Sequence, residues 1–377
     1  MSATRPAPAH DHAARRDRLR ARLVEAGVDG LYVTGAANVA YLTGFTGSNG
    51  QVLVGTDSAE DALFTDPRYE GRAAVEAPDV EAVITRQSFA GSLDRVGGRL
   101  GFEQHHVSYG EGMDLLSSAG ERDRELVACS GMVEDLRIVK DASEVALLRQ
   151  ACAITTEAFD AMLEGLRPGR TERDLAVELE RRFVDGGADG LAFDLIVASG
   201  PNGAVPHHEP TDRAVAAGEL VTFDIGARVG GYHADFTRTV AVGTPHPAWQ
   251  ELHRLVAEAQ QAGVAATVAD ARCEDIDRAA RDPIEAAGRG AAFVHGIGHG
   301  VGLEIHEAPI VSTLPTARLA PSTVITVEPG VYLPTSADRP DGAAPGGIRI
   351  EDTVLVTEDG PAEALTIADH DLLILPA

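Results

Sequence analysis

The chain has 377 residues, enough for two domains with a core each, and its 44% hydrophobic and 24% charged residues are the balance of a folded soluble protein. Against 32 Lys and Arg stand 58 Asp and Glu; the formal charge of -26 repels phosphate backbones and anionic lipid, which argues against nucleic acid or a membrane as partner. Cys129, Cys152 and Cys273 form no Cys-x-x-Cys pair, no run is apolar enough to span a bilayer, and no signal peptide is readable, so buried thiols and a cytoplasmic protein are expected.

Residues 1–10 are expected to be a disordered arm and 11–138 an α/β domain. Asp11 to Ala26 carries Leu19, Leu23 and Val24 at helical spacing, and Gly27 is placed to end that helix. Short apolar runs at 30–34, 51–54, 62–65 and 80–84 read as strands separated by turn residues. A second domain, 139–377, opens near Lys140, where Asp141 or Ser143 can cap a long helix through Leu148, Phe159 and Met162. Thr171, with Asp174 three residues on, caps another that ends near Gly186 and Gly187. Two further helices are expected over 248–265 and 274–287, with strands at 220–227, 232–242, 323–328 and 347–356. The second domain is therefore α+β, with long helices on a mostly antiparallel sheet.

Lys140 is the sole lysine and follows no glycine-rich loop, and no Gly-x-Ser-x-Gly elbow occurs. Phosphate-loop and common serine-hydrolase chemistry thus have no candidate. Eight of the 13 histidines fall between His207 and His306, which points to a site in that quarter of the chain.

The segment 220–240 has two strand patterns joined by Gly230-Gly231 and reads as a hairpin. Asp224 and Asp235 are about equally far from the turn and are expected nearly opposite each other. Facing carboxylates repel unless a cation lies between them, although taken alone both could point to solvent. In His295-Gly-Ile-Gly-His299-Gly-Val-Gly-Leu-Glu-Ile-His306, interleaved glycines let the backbone pass close to a site; neither a His-Glu-x-x-His helix nor a dinucleotide fingerprint fits. Glu328 and Glu351 each end an apolar run, where an unpaired carboxylate is costly. Four carboxylates and an imidazole suit a two-metal hydrolytic site holding Mn²⁺, Co²⁺, Fe²⁺ or Zn²⁺.

Phe223-Asp-Ile-Gly, His233-Ala-Asp-Phe-Thr-Arg, His295-Gly-Ile-Gly-His, Val327-Glu-Pro-Gly-Val-Tyr and Gly347-Ile-Arg-Ile-Glu-Asp resemble, in order, the motifs of the proline-specific metallopeptidases aminopeptidase P and prolidase. Asn38-Val-Ala-Tyr-Leu-Thr-Gly-Phe-Thr-Gly-Ser-Asn-Gly and Phe64-Thr-Asp-Pro-Arg-Tyr look like that family's N-terminal domain, so the resemblance leaves out only the N-terminal arm. It implies a creatinase-like α/β domain followed by an α+β pita-bread metallopeptidase domain. It further implies two divalent ions, Mn²⁺ first among the candidates, with Asp224 on one, His299 and Glu328 on the other, and Asp235 and Glu351 bridging both. Creatinase lacks this full ligand set, and methionine aminopeptidases typically lack the N-terminal domain.

By the same resemblance, Glu328 takes a proton from the attacking water and passes it to the proline nitrogen. His306 matches the position that hydrogen-bonds the developing oxyanion, and His207 the position that contacts substrate near the scissile bond. Arg349 is placed to hold a substrate carboxylate or the glutamate network, His295 to line the proline pocket, and Tyr332 to contact substrate, with His208 a contact or a bystander. The expected substrate is a peptide with proline in second position, cleaved by a homodimer of aminopeptidase P or prolidase type. The alternative is a non-catalytic binding module on the same fold, which would have no need of five intact ligands.

Overall fold

In a computed structural model of the chain, residues 10–340 and 342–377 are described. The arm expected over residues 1–10 lies, His10 excepted, outside them. The chain divides into two compact units, Ala9–Arg137 and Ile138–Ala377. No helix among the described residues is long and apolar enough to cross a membrane.

In the first unit the helix His12–Ala26 is capped by the Asp11 carboxylate, which accepts from Ala14 N–H, and is closed by Gly27 at φ 64°, a left-handed conformation that glycine adopts without strain. Strands β1 (Gly30–Val33), β2 (Gly50–Gly55), β3 (Ala62–Thr65), β4 (Glu81–Ile84), β5 (Arg99–Glu103) and β6 (Glu125–Cys129) form one sheet in the order β4-β3-β2-β1-β5-β6. β1, β2 and β3 pair antiparallel and the other neighbours parallel, the mixed sheet of an α/β unit. Its core gathers Tyr32, Leu53, Phe64, Leu93 and Leu100.

The second unit carries β7 (Gly190–Leu191), β8 (Ile196–Ser199), β9 (Glu219–Ile225), β10 (Ala227–Val229), β11 (Tyr232–His233) and β12 (Phe236–Val242). They are succeeded by β13 (Gly298–Gly300), β14 (Glu307–Val311), β15 (Val324–Val327), β16 (Gly330–Leu333), β17 (Gly346–Arg349), β18 (Asp352–Leu355), β19 (Glu363–Ala364) and β20 (Ile374–Leu375). The principal sheets run β20-β12-β9-β8 and β14-β13-β15-β18-β19, antiparallel except for β12 beside β20.

Each sheet is backed by a helix pair. Ala142–Leu163, capped by Asp141 with Glu144, and Glu172–Asp185, capped by Thr171 with Asp174, bury Leu148, Phe159 and Phe183 against Phe223 and Phe236. The Phe159 ring meets those of Phe223 and Phe236 edge-on at 5.7 and 5.3 Å, a favoured aromatic geometry. Pro247–Ala266 and Cys273–Ala286 do the same for the other sheet, with Trp249, Val256 and Ile276 against Ile325 and Val327. Strand alternation that sends Phe223 into this core sends Asp224 to the opposite face, and the site is built on that face. All three cysteines are buried free thiols. Lys140 is buried against Glu307, its Nζ 2.9 Å from the carboxylate.

Candidate metal centre

The segment expected to be a simple hairpin is broken at Gly226 and again at Ala234-Asp235, so four short strands replace two. Its register is continuous: Asp224 pairs with Thr237, Ala234 N–H donates to Ala227 O at 2.9 Å, and Arg228 pairs with His233. Asp235 therefore falls opposite Gly226, two residues along from Asp224. The two aspartates are diagonal neighbours on one face, nearly opposite each other as expected, with a two-residue offset. A Cβ at Gly226 would lie 2.0 Å from Ala234 O, so a side chain there would force the strands apart beneath Asp235. Neither aspartate points to solvent; their side chains are 15% and 8% exposed.

His299 stands in β13 between two glycines that the packing requires. A Cβ at Gly298 would lie 2.0 Å from Thr326 O, and one at Gly300 2.2 Å from Ala308 O, so only bare backbone lets β13 pass between β14 and β15. Its Nδ1 is 3.0 Å from Gly300 O, which can only accept, so Nδ1 carries the proton and Nε2 presents a lone pair. That Nε2 lies 3.6 Å from Asp235 Oδ2 and 3.5 Å from Glu328 Oε1. Glu328 is fixed by its own N–H to Ile297 O at 2.7 Å. Glu351, at the break between β17 and β18, donates its N–H to Thr237 O and accepts Thr237 Oγ1 at 2.7 Å. Single ligand atoms of Asp235, His299 and Glu351 lie within 4.8 Å of one another.

The electrostatics of this arrangement call for positive charge. Burial, and then the neighbouring carboxylates, push Asp235 and Glu351 well above the usual carboxylate range; burial likewise pushes Glu328 up to about 8. Burial lowers His299 to about 4, which keeps its imidazole neutral and able to ligate. Asp224 Oδ1 is buried without a hydrogen-bond partner. Orphaned buried oxygens are rare in folded proteins, and this one belongs to a cluster of hard oxygen donors with one imidazole, a set that fits divalent cations.

Arg349 joins this cluster to the cavity wall. Its Nη2 donates to Asp224 Oδ2 at 2.6 Å, Nη1 to Tyr332 Oη at 2.7 Å and Nε to Thr237 Oγ1 at 3.2 Å. Its carboxylate partner is Asp224, where a substrate carboxylate or the glutamate network was expected. Tyr332 in turn donates to His295 Nε2 at 3.0 Å, since His295 Nδ1–H is directed to Gly296 O. Burial pushes Tyr332 up to about 12 and His295 down to about 4.

All ten expected site residues line one cavity of about 560 Å³. His306 is exposed there, its ring 4.4 Å from that of His299, and His207 is exposed on another part of the wall. His208 also lines it but is hydrogen-bonded to the buried Glu172 at 2.9 Å. Sequence reasoning missed Thr237, Thr326 and the apolar wall residues Phe193, Ile305 and Ile310. Thr237 was within reach, since it comes two residues after Asp235 and so shares its face. A separate grouping in the first unit, Glu103, His106 and Glu134, is tied together by Asn38 and by the 2.8 Å pair of His106 with Glu134.

An oxygen-rich donor cluster on the floor of a cavity, carried by two helix-backed antiparallel sheets, is the architecture of a metal-dependent hydrolase. Residues 146–358 match the metallopeptidase family M24, and residues 15–139 match the creatinase/prolidase N-terminal domain. The chain belongs to family M24, with the creatinase-type N-terminal domain and the pita-bread catalytic domain of its proline-specific branch. It is 34% identical to the Xaa-Pro dipeptidase of Pyrococcus furiosus, over 93% of this chain and 96% of that one. Among solved structures, it superposes on the Xaa-Pro dipeptidase from Bacillus anthracis with a TM-score of 0.89 at 37% identity, covering 97% and 100% of the two chains. The X-Pro aminopeptidase from Thermotoga maritima gives 0.85 at 33%, covering 96% and 99%.

Proposed function

We propose that the chain hydrolyses the peptide bond before proline, with Asp224, Asp235, His299, Glu328 and Glu351 holding two divalent ions, Mn²⁺ first among them. The observation that carries the reading is the buried carboxylate cluster with its unpaired Asp224 Oδ1, set on the floor of the cavity. Two divalent ions there would supply Lewis acidity toward a water nucleophile and the scissile carbonyl. The chain's own groups do the rest. Glu328, with two bound cations holding it ionised, takes a proton from water and returns it to the proline nitrogen. His306 donates to the carbonyl oxygen as negative charge develops on it, and His207 contacts the substrate close by. His295, held by Tyr332, supports the wall of the proline pocket. Arg349 holds Asp224 and Tyr332 in place.

The test is incubation of the Mn²⁺-reconstituted protein with Xaa-Pro and Xaa-Pro-Yaa peptides and with matched peptides carrying Ala for Pro. The reading requires free Xaa as product from the proline series alone. Equal cleavage of the alanine series would remove the proline specificity, and no cleavage of either would favour the binding-module alternative.

A further inference from the structure

A free dipeptide Xaa-Pro and a longer Xaa-Pro-Yaa peptide present the same scissile bond and differ in the group on the far side of the proline. In the dipeptide, a full negative charge stands on the residue next to that bond. In the longer peptide a neutral amide takes its place, and each further residue carries the terminal carboxylate outward by as much as about 3.6 Å. With the bond at the floor of the cavity, the dipeptide's carboxylate lies inside it and needs a partner there, since a charge taken from water unpaired is costly.

Beside the exposed imidazoles of His207 and His306, which the reading above assigns to the scissile bond, the cavity has little to give it. Arg349 is the sole Arg or Lys among the described lining residues, is 4% exposed, and has its guanidinium committed to Asp224, Tyr332 and Thr237. A substrate carboxylate would have to compete with Asp224 for it. The exposed lining carries two more carboxylates, Asp194 and Glu209, and the wall from β14 and the loop before it offers Ile310 and Ile305. Even with the five floor residues neutralised by cations, those two acids face an anionic ligand with like charge.

We infer that this site selects peptides that continue past proline over free Xaa-Pro dipeptides, and that Asp194 and Glu209 are the residues that disfavour a free prolyl carboxylate. The inference rests on the Xaa-Pro reading above and names the substrate class within it. It is tested with the Mn²⁺-loaded full chain on three matched substrates: Xaa-Pro, Xaa-Pro-amide and Xaa-Pro-Yaa. The amide and the tripeptide should exceed the free acid in kcat/KM by about tenfold or more, as removal of one repelled charge allows. In D194N/E209Q the gap should shrink several-fold through a gain for the free acid alone. Calorimetry supplies a readout independent of turnover, with L-prolinamide binding more tightly than L-proline. A free acid cleaved as well as its amide, or a gap unchanged in the double variant, would overturn the inference and leave the Xaa-Pro reading standing. Absence of cleavage in all three would instead sink the Xaa-Pro reading, and the prolinamide comparison would then decide this one.

Discussion

Arg349 Nη2 lies 2.6 Å from Asp224 Oδ2, while the other oxygen of that carboxylate is buried with no hydrogen-bond partner. One aspartate is thus pinned from one side by a guanidinium and left open on the other toward the carboxylate cluster. A lysine cannot serve Asp224, Tyr332 and Thr237 at once, because it lacks the planar fork. Arg349→Lys should stay folded but lose at least about tenfold in kcat with loosened metal retention, whereas Arg349→Ala should lose about 3–5 kcal/mol of stability as buried charges go unpaired. Turnover, metal content and thermal unfolding measured on both variants check this; a lysine variant with wild-type turnover would remove the positioning role.

In the proposed mechanism, His306 serves catalysis without binding metal. It is exposed on the cavity wall beside His299 and makes no contact that the fold depends on. His306→Ala should keep its metal and fold while kcat falls by about 10²–10³, or roughly 2.7–4 kcal/mol, with KM changed far less. Metal depletion in this variant would make His306 a ligand, and full activity would make it a bystander.

Removal of metal should make stability fall as pH rises. Asp235 and Glu351 are raised and Glu328 is pushed up to about 8, so the folded state binds more protons than the unfolded one across that span. Their contribution is fully present below the unfolded carboxylate value of about 4 and is lost as pH rises through the folded values. Above the unfolded histidine value of about 6.5, where the buried His295 and His299 no longer oppose the trend, chelated protein should therefore unfold at progressively lower temperature from about pH 7 to about pH 9, and Mn²⁺ should flatten the trend. A chelated protein that gains stability over this range would contradict the carboxylate repulsion.

Glu172, fully buried at the start of its helix, acts in the opposite sense. Burial would raise its pKa, but Thr211, His208 and Ser199 donate to it and hold it at about 2. Its stabilisation is present above the unfolded value of about 4.3 and is lost as pH falls through about 2. Because those donors fix the loop that carries His207, Glu172→Gln should cost about 1–3 kcal/mol and raise KM with metal content unchanged. Unfolding curves at pH 7 and pH 3 should show the variant's deficit shrinking in acid.

Much of this was legible in the sequence, and the limits have physical causes. Capping residues announced their helices: Thr171 caps where expected, and of Asp141 and Ser143 it is Asp141 that caps, because a side-chain acceptor at a helix start is a local event. The glycines around His299 also announced themselves, as close backbone passage admits nothing else. The pairing of Asp224 with Thr237 did not, since register depends on how a turn is built, and a two-residue error leaves the alternation of faces unchanged. β5 went unread because Gly101 separates Leu100 from Phe102 between charged ends, which leaves no apolar run. The commitment of Arg349 to Asp224, 125 residues away in the chain, is a tertiary fact that no local pattern encodes.

Joint binding of two ions by five side chains is open to a direct measurement, the metal stoichiometry of wild type and Asp235→Ala after Mn²⁺ reconstitution and exhaustive dialysis. Asp235 lies within reach of His299, Glu328 and Glu351 at once, so its loss should disturb both sites. Two Mn²⁺ per wild-type chain are expected, and fewer than about one in Asp235→Ala, with the variant folded. An Asp235→Ala protein that still retains two ions would contradict joint binding.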